Sequence, residues 1–152
     1  MEFLEPRRYD TMKAKHFKLF ELVCSHVLAK YGERSWMFLD SRLILNLDTI
    51  RERLNKPIYV NKGGLTQRGL RCPQCEIVKA KFEAGVLYMS AHTMGKAVDF
   101  DVEGMTADEV RGWLAEHGAY LPYPIRLEND VNWVHMDVFE SFTDQKVYIF
   151  NP

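Results

Sequence analysis

Apolar residues recur along this chain first at helical and then at strand spacing. Phe17, Phe20, Leu22, Val23, Val27 and Leu28 predict one helix over residues 11–31, with Tyr31-Gly32 as its stop. Leu43, Leu45, Leu47, Ile50 and Leu54 give a second helix its apolar face over residues 40–55, and Lys56-Pro57 ends it. Residues 57–61 then read as a strand. Gly63-Gly64 breaks it, and residues 62–84 run polar and without periodicity, the pattern of a long binding loop.

Beyond Val86-Leu87-Tyr88-Met89 the period changes to two. In a strand over residues 97–102, Ala97, Asp99 and Asp101 share one face while Val98, Phe100 and Val102 share the other. Thr106-Ala107-Asp108-Glu109 opens a capped helix whose inner face is Val110, Trp113 and Leu114, running to His117-Gly118. Strands follow at 124–128 and 133–138, across the turn-like Asn129-Asp130-Val131-Asn132, and a last strand at 146–150 closes the sheet. These elements predict an α+β fold in a single domain. A helical part over residues 1–55 packs on a small, mainly antiparallel sheet, within residues 56–152, that carries a metal site.

Composition narrows the classes of function. A chain of 152 residues, 47% hydrophobic and 27% charged, suits one domain with a real core. Its formal charge of -1 supplies no drive toward nucleic acid or an anionic membrane, and the chain reads as a monomer. Met1-Glu2-Phe3-Leu4-Glu5-Pro6-Arg7-Arg8 lacks the apolar centre of a signal peptide, so synthesis and folding in the cytoplasm are expected.

Three cysteines do not make a disulfide framework. Cys24 reads as a small buried hydrophobe. Cys72-Pro73-Gln74-Cys75 has the spacing of half a zinc site or of a redox pair, but no further thiol or imidazole stands close in sequence. The expectation is a loop element with at most a local disulfide.

The chemistry concentrates in two stretches. Ser90-Ala91-His92-Thr93-Met94-Gly95-Lys96-Ala97-Val98-Asp99-Phe100-Asp101 is answered by Asn132-Trp133-Val134-His135-Met136-Asp137. Gly95 lets the chain turn sharply, so the His92 imidazole can swing over the strand face that carries Asp99. His135 shares a strand face with Trp133 and Asp137, and it meets the other two if the strands are neighbours. Two imidazoles and a carboxylate are the donor set of a catalytic zinc site that keeps one position open.

Ser-x-His-x-x-Gly-x-Ala-x-Asp-Phe followed by Trp-Val-His-x-Asp resembles the M15 family of zinc D-Ala-D-Ala peptidases, which includes carboxypeptidases and phage endolysins. It resembles the hedgehog signalling domain more distantly. The resemblance covers roughly residues 40–150, with its specific motifs in residues 90–101 and 132–137. It implies one zinc ion held by His92, Asp99 and His135, and a peptidoglycan stem peptide as substrate. It also implies release to the cell wall through a phage or prophage lysis system, since no export signal is visible.

The family carries an acidic general base three positions before its second histidine, where this chain has Asn132. An amide has no useful proton affinity near neutral pH, although it can hold a water or polarise a carbonyl. Glu128, at a strand end, and Asp130, in the following turn, are the nearest acids, with Glu128 preferred because a strand end is held more firmly. Each also has an ordinary role: Asp130 suits the turn, and Glu128 has Arg126 or a lysine as a surface partner. Asp137 is placed to orient an imidazole, and Asp101 to do the same beside Asp99. Arg68 and Arg71 lie where relatives carry an arginine for the substrate carboxylate, with Arg71 preferred. Ser90 either meets substrate or caps the turn. The alternative function is a binding module of the same fold that keeps its metal without catalysis.

Overall fold

In the sheet, apolar and polar residues alternate so regularly that one face becomes core and the other becomes the site. The computed structural model describes residues 11–152; the N-terminal stretch read for a signal peptide, and the first part of the expected helical region, lie outside them. The strands are β1 (Ile58–Tyr59), β2 (Ala97–Val102), β3 (Ile125–Glu128), β4 (Val134–Asp137) and β5 (Val147–Phe150). Their spatial order is β1-β2-β4-β3-β5, antiparallel throughout except for the parallel pair of β3 and β5. Val98, Phe100, Ile125, Leu127, Val134 and Met136 turn inward and are essentially buried. The opposite face carries Asp99, Asp101, Arg126, Glu128, His135 and Asp137.

Five α-helices accompany the sheet among the described residues: α1 (Leu19–Leu22), α2 (Ser25–Tyr31), α3 (Ser41–Leu54), α4 (Glu76–Glu83) and α5 (Ala107–Glu116). The buried side chains of helices and sheet form one cluster, so the α+β, single-domain expectation holds. Asp40 caps α3, accepting a bond from the Arg42 backbone N–H, and Asn55 closes it in the left-handed region. Thr106 and Glu109 cap α5 reciprocally.

Three expectations are corrected. The helix over residues 11–31 is broken at Val23-Cys24, because Val23 forms an isolated parallel bridge with Leu70 and the Cys24 N–H donates to the Leu70 carbonyl. The aperiodic segment 62–84 contains α4, which buries none of its residues and so leaves no apolar stripe in the sequence. On α3, Ile44 is buried and Leu45 only partly so. The inner face of α5 is as expected, with Val110 and Leu114 in the core and the half-buried Trp113 packed against it and stacked on His117; Arg111 is buried as well.

Candidate metal centre

β2 and β4 are neighbours in a register that sets Asp99 directly opposite His135. His135 Nδ1 lies 2.8 Å from Asp99 Oδ1, and His92 Nε2 lies 3.3 Å from the same oxygen. The His92, Asp99 and His135 side chains are only 4%, 10% and 11% exposed, so the three donor atoms converge in a nearly dry pocket. His92 reaches it from a turn in which Gly95 has φ +68° and packs so tightly on the Phe38 backbone that a Cβ would collide with its carbonyl. The positive φ and this close approach are both reasons for glycine here.

The other ring nitrogens are fixed. His92 Nδ1 is 2.9 Å from the Gly69 carbonyl, which can only accept, so the proton sits on Nδ1 and Nε2 is the available donor. His135 Nε2 is 2.9 Å from Asp137 Oδ2, which leaves Nδ1 for Asp99. Asp137 is fully buried and doubly bonded by Arg126, at 2.7 and 3.0 Å, so it orients His135 from a rigid base. Arg126 therefore serves Asp137, not Glu128 as the sequence reading allowed.

Burial alone would raise the Asp99 carboxyl, but the hydrogen bonds from His135 and His92 outweigh it and hold Asp99 well below the usual carboxylate range. Burial would likewise lower His135, yet its bonds to Asp137 and Asp99 push it up to about 9. The pocket is thus built for positive charge beside Asp99. His92, Asp99 and His135 fit a divalent ion by donor type, by convergence and by second partners that fix each imidazole.

A cleft of about 530 Å³ opens beside Asp99 and is bordered by Arg68, Arg71, Asp101, Asn132 and Trp133. Arg71 donates from Nη2 to Asp99 Oδ2 at 3.2 Å, from Nε to the Gln67 carbonyl at 2.5 Å and from Nη1 to the Tyr88 hydroxyl at 3.2 Å. It is committed to positioning the carboxylate. Arg68 uses Nη1 alone, toward Asp101 Oδ2 at 2.7 Å and the Val60 carbonyl at 3.4 Å, so its Nε and Nη2 are unengaged among the described residues. Asp101 consequently pairs with Arg68 and does not orient an imidazole.

Ser90 Oγ accepts the His92 backbone N–H at 3.2 Å, which is the turn-capping role. Glu128 lies on the site face of β3, and Asp130 sits in the turn at φ +56°; neither borders the cleft. Asn132 does. Sequence reasoning missed what holds Asn132 there: the buried Arg111 donates to the carbonyls of Val131, at 2.9 Å, and Trp133, at 3.0 Å, tying the turn to α5. The Asp108-x-x-Arg111 spacing, whose ends pair at 2.6 Å, is the one local sign of it.

No protein-family model, curated protein or solved structure matches this chain. No helix among the described residues is long and apolar enough to cross a membrane.

Proposed function

We propose that this chain is a zinc-dependent metallopeptidase resembling the M15 family, hydrolysing D-alanyl bonds at the ends or cross-links of peptidoglycan stem peptides. The observation that carries the reading is the convergence of His92 Nε2 and His135 Nδ1 on one oxygen of Asp99, with both remaining ring nitrogens tied to acceptors. A zinc ion bound by these three residues would supply Lewis acidity, lowering the pKa of a water toward about 7 and polarising the scissile carbonyl.

The chain's own residues divide the remaining work. Arg71 fixes Asp99, and Asp137 fixes His135, so the donors do not reorganise during turnover. Arg68 lines the cleft with Nε and Nη2 unengaged among the described residues, the two nitrogens whose fork geometry suits a terminal carboxylate. Asn132, where the resemblance expects an acid, holds or polarises and does not accept a proton. Besides Asp99, Asp101 is the carboxylate on the cleft wall, and its Oδ1, which Arg68 leaves untaken, is the proton acceptor in this reading. Glu128, on the same sheet face, is the alternative, and Asp130 is the third acid near the turn.

Zinc-loaded protein incubated with purified peptidoglycan fragments tests the proposal by mass spectrometry, with His92→Ala as control. Loss of terminal D-alanine, or splitting of cross-linked dimers, is expected from the wild type alone. Unchanged fragments with zinc bound would replace the peptidase by a second reading, a non-catalytic binding module, which the amide at Asn132 favours.

A further inference from the structure

Away from the sheet, four side chains that the sequence does not bring together meet at one point. Cys24 caps α2 and His26 lies in its first turn; Cys72 and Cys75 flank the loop that leads into α4, with Cys75 as its cap. His26 Nδ1 stands 3.6 Å from Cys72 Sγ and 3.8 Å from Cys75 Sγ, and the two sulfurs are 3.9 Å apart. All four donor atoms, Cys24 Sγ included, lie within 4.8 Å of one another.

The three spacings among His26, Cys72 and Cys75 match one triangular face of a tetrahedron around zinc, and Cys24 Sγ lies within reach of its apex. With Zn–S near 2.3 Å and Zn–N near 2.0–2.1 Å, the edges are about 3.8 Å between sulfurs and about 3.6 Å between nitrogen and sulfur. A disulfide brings its sulfurs to about 2.05 Å, and all three cysteines here are free, so no local disulfide closes the loop. Burial pushes the Cys75 thiol up to about 12, and the Cys72 backbone N–H, 3.3 Å from Cys75 Sγ, opposes that.

We propose that Cys24, His26, Cys72 and Cys75 form a second metal site, a closed structural Cys3His zinc centre. Four protein donors leave no open position, which separates it from the three-donor centre on the sheet. The surroundings need such a clamp. On α4 and just beyond it only Val78 packs partly against the core, while Phe82, Val86, Leu87 and Met89 are exposed, so little apolar burial holds this helix.

The centre also reaches the sheet site through one strap. Residues 68–72 are bonded on one side to the Leu22–Cys24 backbone, through Leu70 N–H to the Leu22 carbonyl and Cys24 N–H to the Leu70 carbonyl. On the other side, the Gly69 carbonyl fixes His92, Arg71 N–H donates to the His92 carbonyl, and Asp99 N–H donates to the Arg68 carbonyl. The second centre anchors the strap that positions two donors of the first. It stands whether or not the protein is a peptidase.

The test is cobalt substitution of the full chain with metal counting. Two equivalents are expected in the wild type, with thiolate-to-cobalt charge-transfer absorption in the near ultraviolet and the intense visible bands of a tetrahedral ion. A His92→Ala/His135→Ala variant should keep one equivalent and all of the thiolate absorption. His26→Ala, at an exposed position, should fold and bind the second equivalent at least tenfold more weakly. In the wild type, the half-buried Cys72 should resist alkylation until a chelator is added. Absence of thiolate absorption in the double-histidine variant, or alkylation of Cys72 at the same rate with and without metal, would overturn the assignment.

Discussion

Asp137 and His135 stand two residues apart on β4, and their 2.9 Å contact sets which nitrogen of His135 faces Asp99. Alternation along the strand puts both on one face, and the paired bonds from Arg126 keep the carboxylate ionised and still. Replacing Asp137 by Asn removes the charge that holds the Nε2 proton. Zinc affinity at the sheet site should fall about 10- to 100-fold, measured by competition with a chromophoric chelator. Unchanged affinity would mean that His135 is oriented by its packing alone.

The Gly95 turn makes a separate demand. A methyl group there meets the Phe38 carbonyl and the Leu39 Cα, and the φ of +68° is unfavourable for any L side chain. Gly95→Ala should cost more than about 3 kcal/mol by urea unfolding, while Gly64→Ala, also at positive φ but with open space around it, should cost about 1 kcal/mol. Equal costs would remove the steric argument for the turn.

Much of this was legible in the chain. Period-two alternation over residues 97–102 and 133–138 depends only on strand geometry, so it correctly set Asp99 and His135 on one face. The Thr106 cap likewise marked the start of α5. The signals that failed were tertiary. The Leu70 backbone interrupts a helix whose periodicity runs through Val23, and α4 begins where a cysteine loop, not an apolar stripe, defines it. His26 stands 46 and 49 residues from its two thiol neighbours, a separation that no local motif bridges. Arg68 and Arg71 both border the cleft, and only the bond pattern, Arg71 to Asp99 and Arg68 to Asp101, distinguishes them.

Asp40 links the sheet site's loop to α3, and its contribution depends on pH. The Arg42 guanidinium, against the opposing effect of burial and with help from the Lys96 ammonium at 2.9 Å, holds its carboxyl well below the usual range. A carboxyl depressed on folding stabilises the native state above its ordinary value of 3.8, and that stability is lost as pH falls through the folded value. Asp40→Asn should therefore cost about 1 kcal/mol near neutral pH, with the gap from wild type narrowing progressively as the pH falls below about 4. Urea titrations across that range would show it; no gap at any pH would assign Asp40 to capping alone, since Asn caps a helix as well as Asp.

Proton transfer separates the acids around the cleft. Asp101→Asn should lower kcat about 10²- to 10⁴-fold with zinc content unchanged, and Asn132→Asp in that background should restore part of the loss. Activity retained in Asp101→Asn but lost in Glu128→Gln would move the base to β3.

The sheet site itself is tested most directly by an anomalous difference map at the zinc edge, from crystals grown with zinc. The account predicts an ion bonded by His92 Nε2, Asp99 Oδ1 and His135 Nδ1 at about 2.0–2.2 Å, with its fourth position open toward Asn132 and the cleft. No ion at these three residues, or one closed by a fourth protein ligand, would contradict it.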